Sequence, residues 1–209
     1  MADDRDDDLI GRIEGGEAGA LVELFGRHRE RLRRMVRLRL DRRLQGRLDP
    51  SDVLQEAHLD VARRGPEYVE RPTMPPFLWV RFLTMQRLLA LHRHHLGARA
   101  RDAAQEVSLR HGAAPQATSF SLAEMLLGRV TSPTKAARRA ELQARLQGLL
   151  DALDPIDREI LTLRHFEELS NGEAAEVLGL SKSATSNRYI RALQRLRESL
   201  TGKTGLLEA

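Results

Sequence analysis

The chain has 209 residues, no cysteine, 41% hydrophobic residues and a formal net charge of +4. That length accommodates one large or two small domains with real cores, the lack of cysteine excludes disulfides and thiolate metal sites, and no apolar run approaches the ~20 residues that span a bilayer. The acidic opening MADDRDDDLI is the opposite of a basic secretory leader, so a cytoplasmic protein without membrane insertion is expected. All but three of the 34 basic residues are arginine, the exceptions being Lys135, Lys182 and Lys203. A GC-rich genome explains this as well as arginine's affinity for phosphate does, so no function is read from it.

Hydrophobic periodicity is helical nearly throughout, with no convincing alternating strand and no internal repeat, which predicts an all-α fold. A first helix is expected over residues 7–14, ended by Gly15 and Gly16. One long helical segment follows over residues 18–44, with Leu21, Leu24, Phe25, His28, Leu32, Met35, Val36 and Leu40 on one face. Its arginines read as a solvated bundle face rather than a nucleic-acid contact. Gly46 and Pro50 mark a break. The next helix, residues 49–64, has Asp49 as its cap and Pro50 in its first turn. Val53, Leu54, Ala57 and Val61 pack inward, leaving Asp52, Gln55, Glu56 and Asp60 as an outer acidic strip. Such a strip either docks on basic groups of a partner or is simply solvated.

Residues 65–76 carry Pro66, Pro72, Pro75 and Pro76 and read as a loop. A helix over residues 77–95 then holds the only tryptophan. Trp79 and Phe82 beside Arg81, Arg87 and Arg93 can stack on unpaired bases and hold phosphates, or the aromatics can be core. His92 and His95 lie one turn apart, but no third ligand converges on them in sequence, so no metal site is expected. From residue 97 the periodicity weakens, and residues 112–119 have linker composition, with a short apolar turn at 122–127. Some twenty linker residues, fully extended, reach roughly 70 Å. The expected organisation is therefore a helical domain over residues 1–98, a flexible linker over 99–134, and a second helical domain over 135–209. That second domain holds a helix to residue 153, a break at Asp154-Pro155, and a helix to residue 166.

Residues 169–200 form the most informative stretch. Ser170 and Glu173 are spaced as a capping box, Ala175 is small enough for two helices to approach, and Gly179 suits the left-handed conformation that ends a helix. Ser181 caps the next helix, so the spacing is that of a helix-turn-helix. In the second of these helices Thr185, Tyr189, Ala192, Leu193, Leu196 and Leu200 make the inward stripe, while Lys182, Ser183, Ser186, Asn187, Arg191 and Gln194 face out. These outward groups are hydrogen-bonding or cationic, as a helix entering a major groove requires. A solvated surface helix of a bundle is the plainer alternative. Charge separates the two: eight acids against Arg158 and Arg164 over residues 151–180, then six bases against Glu198 and Glu208 beyond Leu180. A local basic face of this kind is the footprint of phosphate contact.

Two separate stretches together resemble the extracytoplasmic-function group of bacterial sigma factors. The carboxyl-terminal likeness runs from Leu153-Asp154-Pro155 to Arg197 and includes Arg158-Glu159-Ile160-Leu161, the stretch from Glu173 to Ser181, and Arg188. The amino-terminal likeness is Asp52-Val53-Leu54-Gln55-Glu56, then Trp79-Val80, Leu83-Thr84 and Gln86, with Arg93 in the basic end of that helix. Gln86 stands where the group usually has Asn, Ala90 where it has Asp, and Thr185 where an aliphatic residue is common.

The resemblance implies a protein that makes no covalent chemistry, is not an enzyme, and needs no cofactor or metal. Asp52, Gln55 and Glu56 would dock on the coiled coil of the β′ subunit of core RNA polymerase. Trp79, Arg81, Gln86, Arg87 and Arg93 would serve the minus-10 element. Lys182, Ser183, Ser186 and Asn187 would meet minus-35 base edges, with Arg188 and Arg191 on phosphates. The implied partners are core RNA polymerase through β′ and β, promoter DNA, and an anti-sigma factor as a further candidate. The main alternative is a stand-alone helix-turn-helix regulator with an amino-terminal dimerisation or sensing bundle, which gives no reason for the Asp52-Gln55-Glu56 strip. A metal hydrolase on His92 and His95 is a distant third.

Overall fold

A computed structural model describes residues 6–41, 43, 44, 46–96, 119, 122 and 136–201. The chain forms two compact units, Met1–Pro115 and Gln116–Ala209. Among the described residues both are built of helices, so the all-α expectation holds, and no helix is long and apolar enough to cross a membrane.

In the first unit α1 is Asp7–Glu14, α2 Gly19–Arg27, α3 Arg29–Arg39, α4 Pro50–Glu70 and α5 Pro76–Leu96. Leu9, Ile13, Leu21, Leu24, Phe25, Leu32, Met35, Val36, Val53, Leu54, Val61, Val80, Leu83 and Leu88 interlock as one core. Two sequence expectations need correction. The segment over residues 18–44 is not one helix: it breaks at His28 (φ −95°, ψ 12°) and ends at Arg39, where Leu40 turns extended. The break has a local tether, since His28 Nε2 lies 2.7 Å from Asp6 Oδ2 and its ring 4.8 Å from that of Phe77.

The second correction concerns α4, which does not stop at residue 64 but runs through Gly65 and Pro66 to Glu70. An interior proline removes one helical hydrogen bond, and tertiary packing outweighs that loss here. A Cβ on Gly65 would lie 3.4 Å from Leu21 Cδ1, in van der Waals contact, so α4 packs against α2 at this point. Buried Tyr68 donates its hydroxyl to the Met74 carbonyl at 2.6 Å, and its ring lies 4.6 Å from Trp79. The start of α4 is as expected. Asp49 accepts from the Ser51 N–H at 2.7 Å, and Asp52 Oδ2 accepts from the Asp49 N–H at 3.3 Å.

In the second unit α6 is Ala136–Asp151, α7 Pro155–Leu161 with a π-turn over Thr162–Phe166, α8 Asn171–Leu178 and α9 Lys182–Thr201. Leu150, Ile160, Leu161, Leu163, Leu169, Ala174, Ala175 and Ala192 are its buried residues of note. Two residues read as linker belong to this unit: Leu122 is fully buried, and Ser119 accepts a hydrogen bond from Arg158 Nη1 at 2.7 Å. The other linker positions, the apolar turn after Leu122 included, lie outside the described residues.

Candidate nucleic-acid interface

The helix-turn-helix is held at every joint by groups the sequence placed there. Glu173 N–H donates to Ser170 Oγ at 3.2 Å while Glu173 Oε2 accepts from the Ser170 N–H at 2.7 Å, closing the capping box. Gly179 sits at φ 64°, ψ 31°. Its N–H donates to Glu176 O at 3.2 Å and that of Leu180 to Ala175 O at 2.9 Å, which is the Schellman pattern. Ser181 Oγ accepts from the Ala184 N–H at 3.1 Å. Asn171 Nδ2 donates across the turn to the Lys182 carbonyl at 2.8 Å, a latch the sequence did not announce.

On α9 Thr185 and Ala192 are fully buried, seven residues apart and so on nearly the same face. Thr185 satisfies its hydroxyl by donating to Ser181 O at 3.0 Å, which is how a polar residue sits inside without loss. Tyr189 is half-buried with the Arg164 guanidinium 5.2 Å from its ring centre. Leu193 is a correction: it is 42% exposed, because it lies about 100° around the helix from Ala192. Lys182, Ser183, Asn187, Arg191 and Gln194 are exposed as expected, and Ser186 is half-buried.

Arg188 is placed differently from Arg191. Its Nη1 lies 2.5 Å from Asp157 Oδ1 and 3.2 Å from Asp154 Oδ1. Those carboxylates, Asp157 foremost, push the guanidinium pKa further up. Asp154 also caps α7 by accepting from the Ile156 N–H at 2.9 Å, the contact that chiefly holds its carboxyl below the usual range. Asp157 is almost wholly buried, and Arg195 Nη1 stands 3.7 Å from its other oxygen. Together these groups line an open cleft of about 510 Å³ with Asn187 and Arg191. Asp157 is the site residue that sequence reasoning missed. Its one trace there was the acid-to-base change of sign, because its partner is 31 residues away.

In the first unit Asp52, Gln55 and Glu56 are exposed on α4, and Leu59 beside them is 63% exposed. Asp60 is not part of that solvated strip. It is buried, accepting from Arg87 Nη2 at 2.5 Å, Arg87 Nε at 3.1 Å and Arg63 Nη2 at 2.5 Å. The residues expected to serve the minus-10 element are split by the fold. Trp79 and Arg81 are buried, so neither is presented for base stacking or phosphate contact as the helix stands: Trp79 is spent on the core against Tyr68. Arg87 is drawn to Asp60, and Gln86 accepts from Arg64 Nη1 at 3.2 Å. Arg93 is exposed.

His92 is buried and accepts from the Asp41 N–H at 3.3 Å, while His94 and His95 are exposed. Burial lowers the His92 pKa, and Arg43 adds to this while Asp41 opposes it. Among the described residues no group of His, Asp and Glu is arranged to hold a metal.

A capped helix, a left-handed glycine and a second helix with a polar outer face define a helix-turn-helix, and residues 149–198 match the family Sigma-70, region 4. The RNA polymerase sigma-E factor of Streptomyces coelicolor is 39% identical over 61 residues, 29% of this chain and 34% of that protein. The chain thus spans about a third of the length of the first curated relatives it matches. The ECF RNA polymerase sigma factor SigD of Mycobacterium bovis is 27% identical over 200 residues, covering 96% of this chain and 86% of that protein. A solved structure of CnrH in complex with the cytosolic domain of CnrY shares the fold, with a TM-score of 0.50 and 22% identity over 95% of this chain and 99% of that one. Together these findings support an extracytoplasmic-function sigma factor.

Proposed function

We propose that the chain binds core RNA polymerase and directs promoter recognition, DNA opening and transcription initiation, acting by binding alone and without a covalent step. The observation that carries this reading is the pairing of a Sigma-70, region 4 helix-turn-helix with an exposed Asp52, Gln55, Glu56 strip on a separate helical unit. The strip docks on basic groups of the β′ subunit, with exposed Leu59 one turn further along α4 as an apolar contact at its end. On α9, Lys182, Ser183, Ser186 and Asn187 meet minus-35 base edges, and Arg191 takes a phosphate.

The first unit captures the opened minus-10 strand through Gln86, Arg87 and Arg93. Unstacking costs a few kcal/mol per base, and polymerase binding and base capture must offset it. Since Arg87 is tied to Asp60, strand capture draws on it only if a phosphate replaces that carboxylate. An anti-sigma factor is a further partner, by likeness to the CnrH fold solved with CnrY.

The test is transcription by purified core polymerase on fragmented DNA from the source organism. Adding the protein should give transcripts with defined starts, preceded by shared minus-35 and minus-10 sequences. Absence of such starts, together with binding of the protein alone to a palindromic site, would identify a stand-alone regulator instead.

A further inference from the structure

We infer that Arg188 is a positioning residue: Asp157 and Asp154 clamp it, fixing α9 against the start of α7, and so withhold it from DNA phosphate and leave that contact to Arg191. This rests on reading α9 as a DNA-binding helix. Arg188, Arg191 and Arg195 recur at steps of three and four, so they share one face of α9 and line one cleft. They are not equivalent there. Arg188 reaches both carboxylates within hydrogen-bonding distance. Arg195 stands 3.7 Å from Asp157 and is 59% exposed, a loose pairing. Arg191 is exposed and has no partner among the described residues.

The burial of Asp157 decides the matter. A carboxylate whose side chain is 8% exposed is tolerable only while it is paired. Handing Arg188 to a phosphate would strand that charge. Arg191 can take a phosphate and strand nothing. Asp154 adds a second constraint, since the oxygen that holds Arg188 also caps α7. Two carboxylates against three guanidiniums leave this face with one net positive charge rather than three.

The readout is the salt dependence of DNA binding. Each phosphate neutralised contributes about 0.9 to the slope of log affinity against log salt, or roughly 3.5-fold in affinity between 50 and 200 mM. The full chain would be titrated with a fluorescent random-sequence duplex of about thirty base pairs over that range, which exceeds a helix-turn-helix footprint. Arg188→Gln should run parallel to wild type, and Arg191→Gln should be shallower by about 0.9. A slope for Arg188→Gln as shallow as that of Arg191→Gln would overturn the assignment.

Should Arg188→Gln unfold the second unit, Asp157→Asn carries the test. It keeps the shape of the clamp but loosens its hold, and should steepen the slope by up to about 0.9; an unchanged slope overturns the proposal. Wild-type binding that ignores salt would remove the DNA-binding reading itself, a different failure from either of these.

Discussion

Asp60→Asn is the sharpest probe of how the first unit is held together. Asp60 joins α4 to α5 through two hydrogen bonds to Arg87, with side chains 12% and 29% exposed, and pairs with Arg63, which is 72% exposed. Breaking a fully buried pair costs about 3–5 kcal/mol. Arg87 keeps some access to water and has Glu56 at 3.7 Å as a substitute, so the cost falls to about 2 kcal/mol. The exposed Arg63 pair adds no more than about 0.5 kcal/mol. Urea unfolding followed by tryptophan fluorescence is a fitting assay, because the only tryptophan, Trp79, lies in this core. Adding Arg87→Met to Asp60→Asn should restore most of the loss by removing the stranded charge. A single-mutant change below about 0.5 kcal/mol, or strictly additive effects, would refute the reasoning.

Three further outcomes follow from the same geometry. Gly179→Ala forces a Cβ into the left-handed region and should cost the second unit about 1–2 kcal/mol in chemical unfolding followed by circular dichroism, with Gly179→Asn milder. Trp79→Ala should cost about 3–5 kcal/mol, whereas Trp79→Phe should retain fold and DNA opening; loss of opening without loss of stability in Trp79→Phe would restore a base-stacking role. His92 is buried with its pKa below 6.5, so the unfolded chain binds the extra proton. Its contribution is therefore complete above pH 6.5 and lost as pH falls below it, with a slope of at most about 1.4 kcal/mol per pH unit. Relative to wild type, His92→Gln should flatten unfolding free energy between pH 5 and 7, and parallel curves would show that His92 is not responsible.

What was legible in the sequence was local. The cap at Asp49, the capping box at Ser170, the left-handed Gly179 and the cap at Ser181 involve partners within a few residues, and each forms as read. The exposed strip at Asp52, Gln55 and Glu56 follows from helical period alone. Errors arose where tertiary partners outvoted local signals. Gly65 and Pro66 punctuate a sequence, yet close packing on α2 carries α4 through them. Asp60 fits the acidic strip by charge, and Arg87, 27 residues away, draws it inside. The same holds for Arg188, whose role depends on Asp154 and Asp157 from another helix. Trp79 beside arginines has one appearance in sequence whether it faces a base or Tyr68.

Docking on core RNA polymerase is the central claim, and affinity capture of purified core polymerase by the 209-residue chain tests it most directly. Asp52 also caps α4, so Gln55→Ala/Glu56→Arg is the cleaner disruption, with circular dichroism to verify the helix. Wild type should bind. The double variant should weaken binding roughly hundredfold or more, since a reversed charge facing basic partner groups costs several kcal/mol. Equal capture of both proteins would contradict the docking face, and failure of wild type to bind where an established sigma factor does would contradict the proposed function.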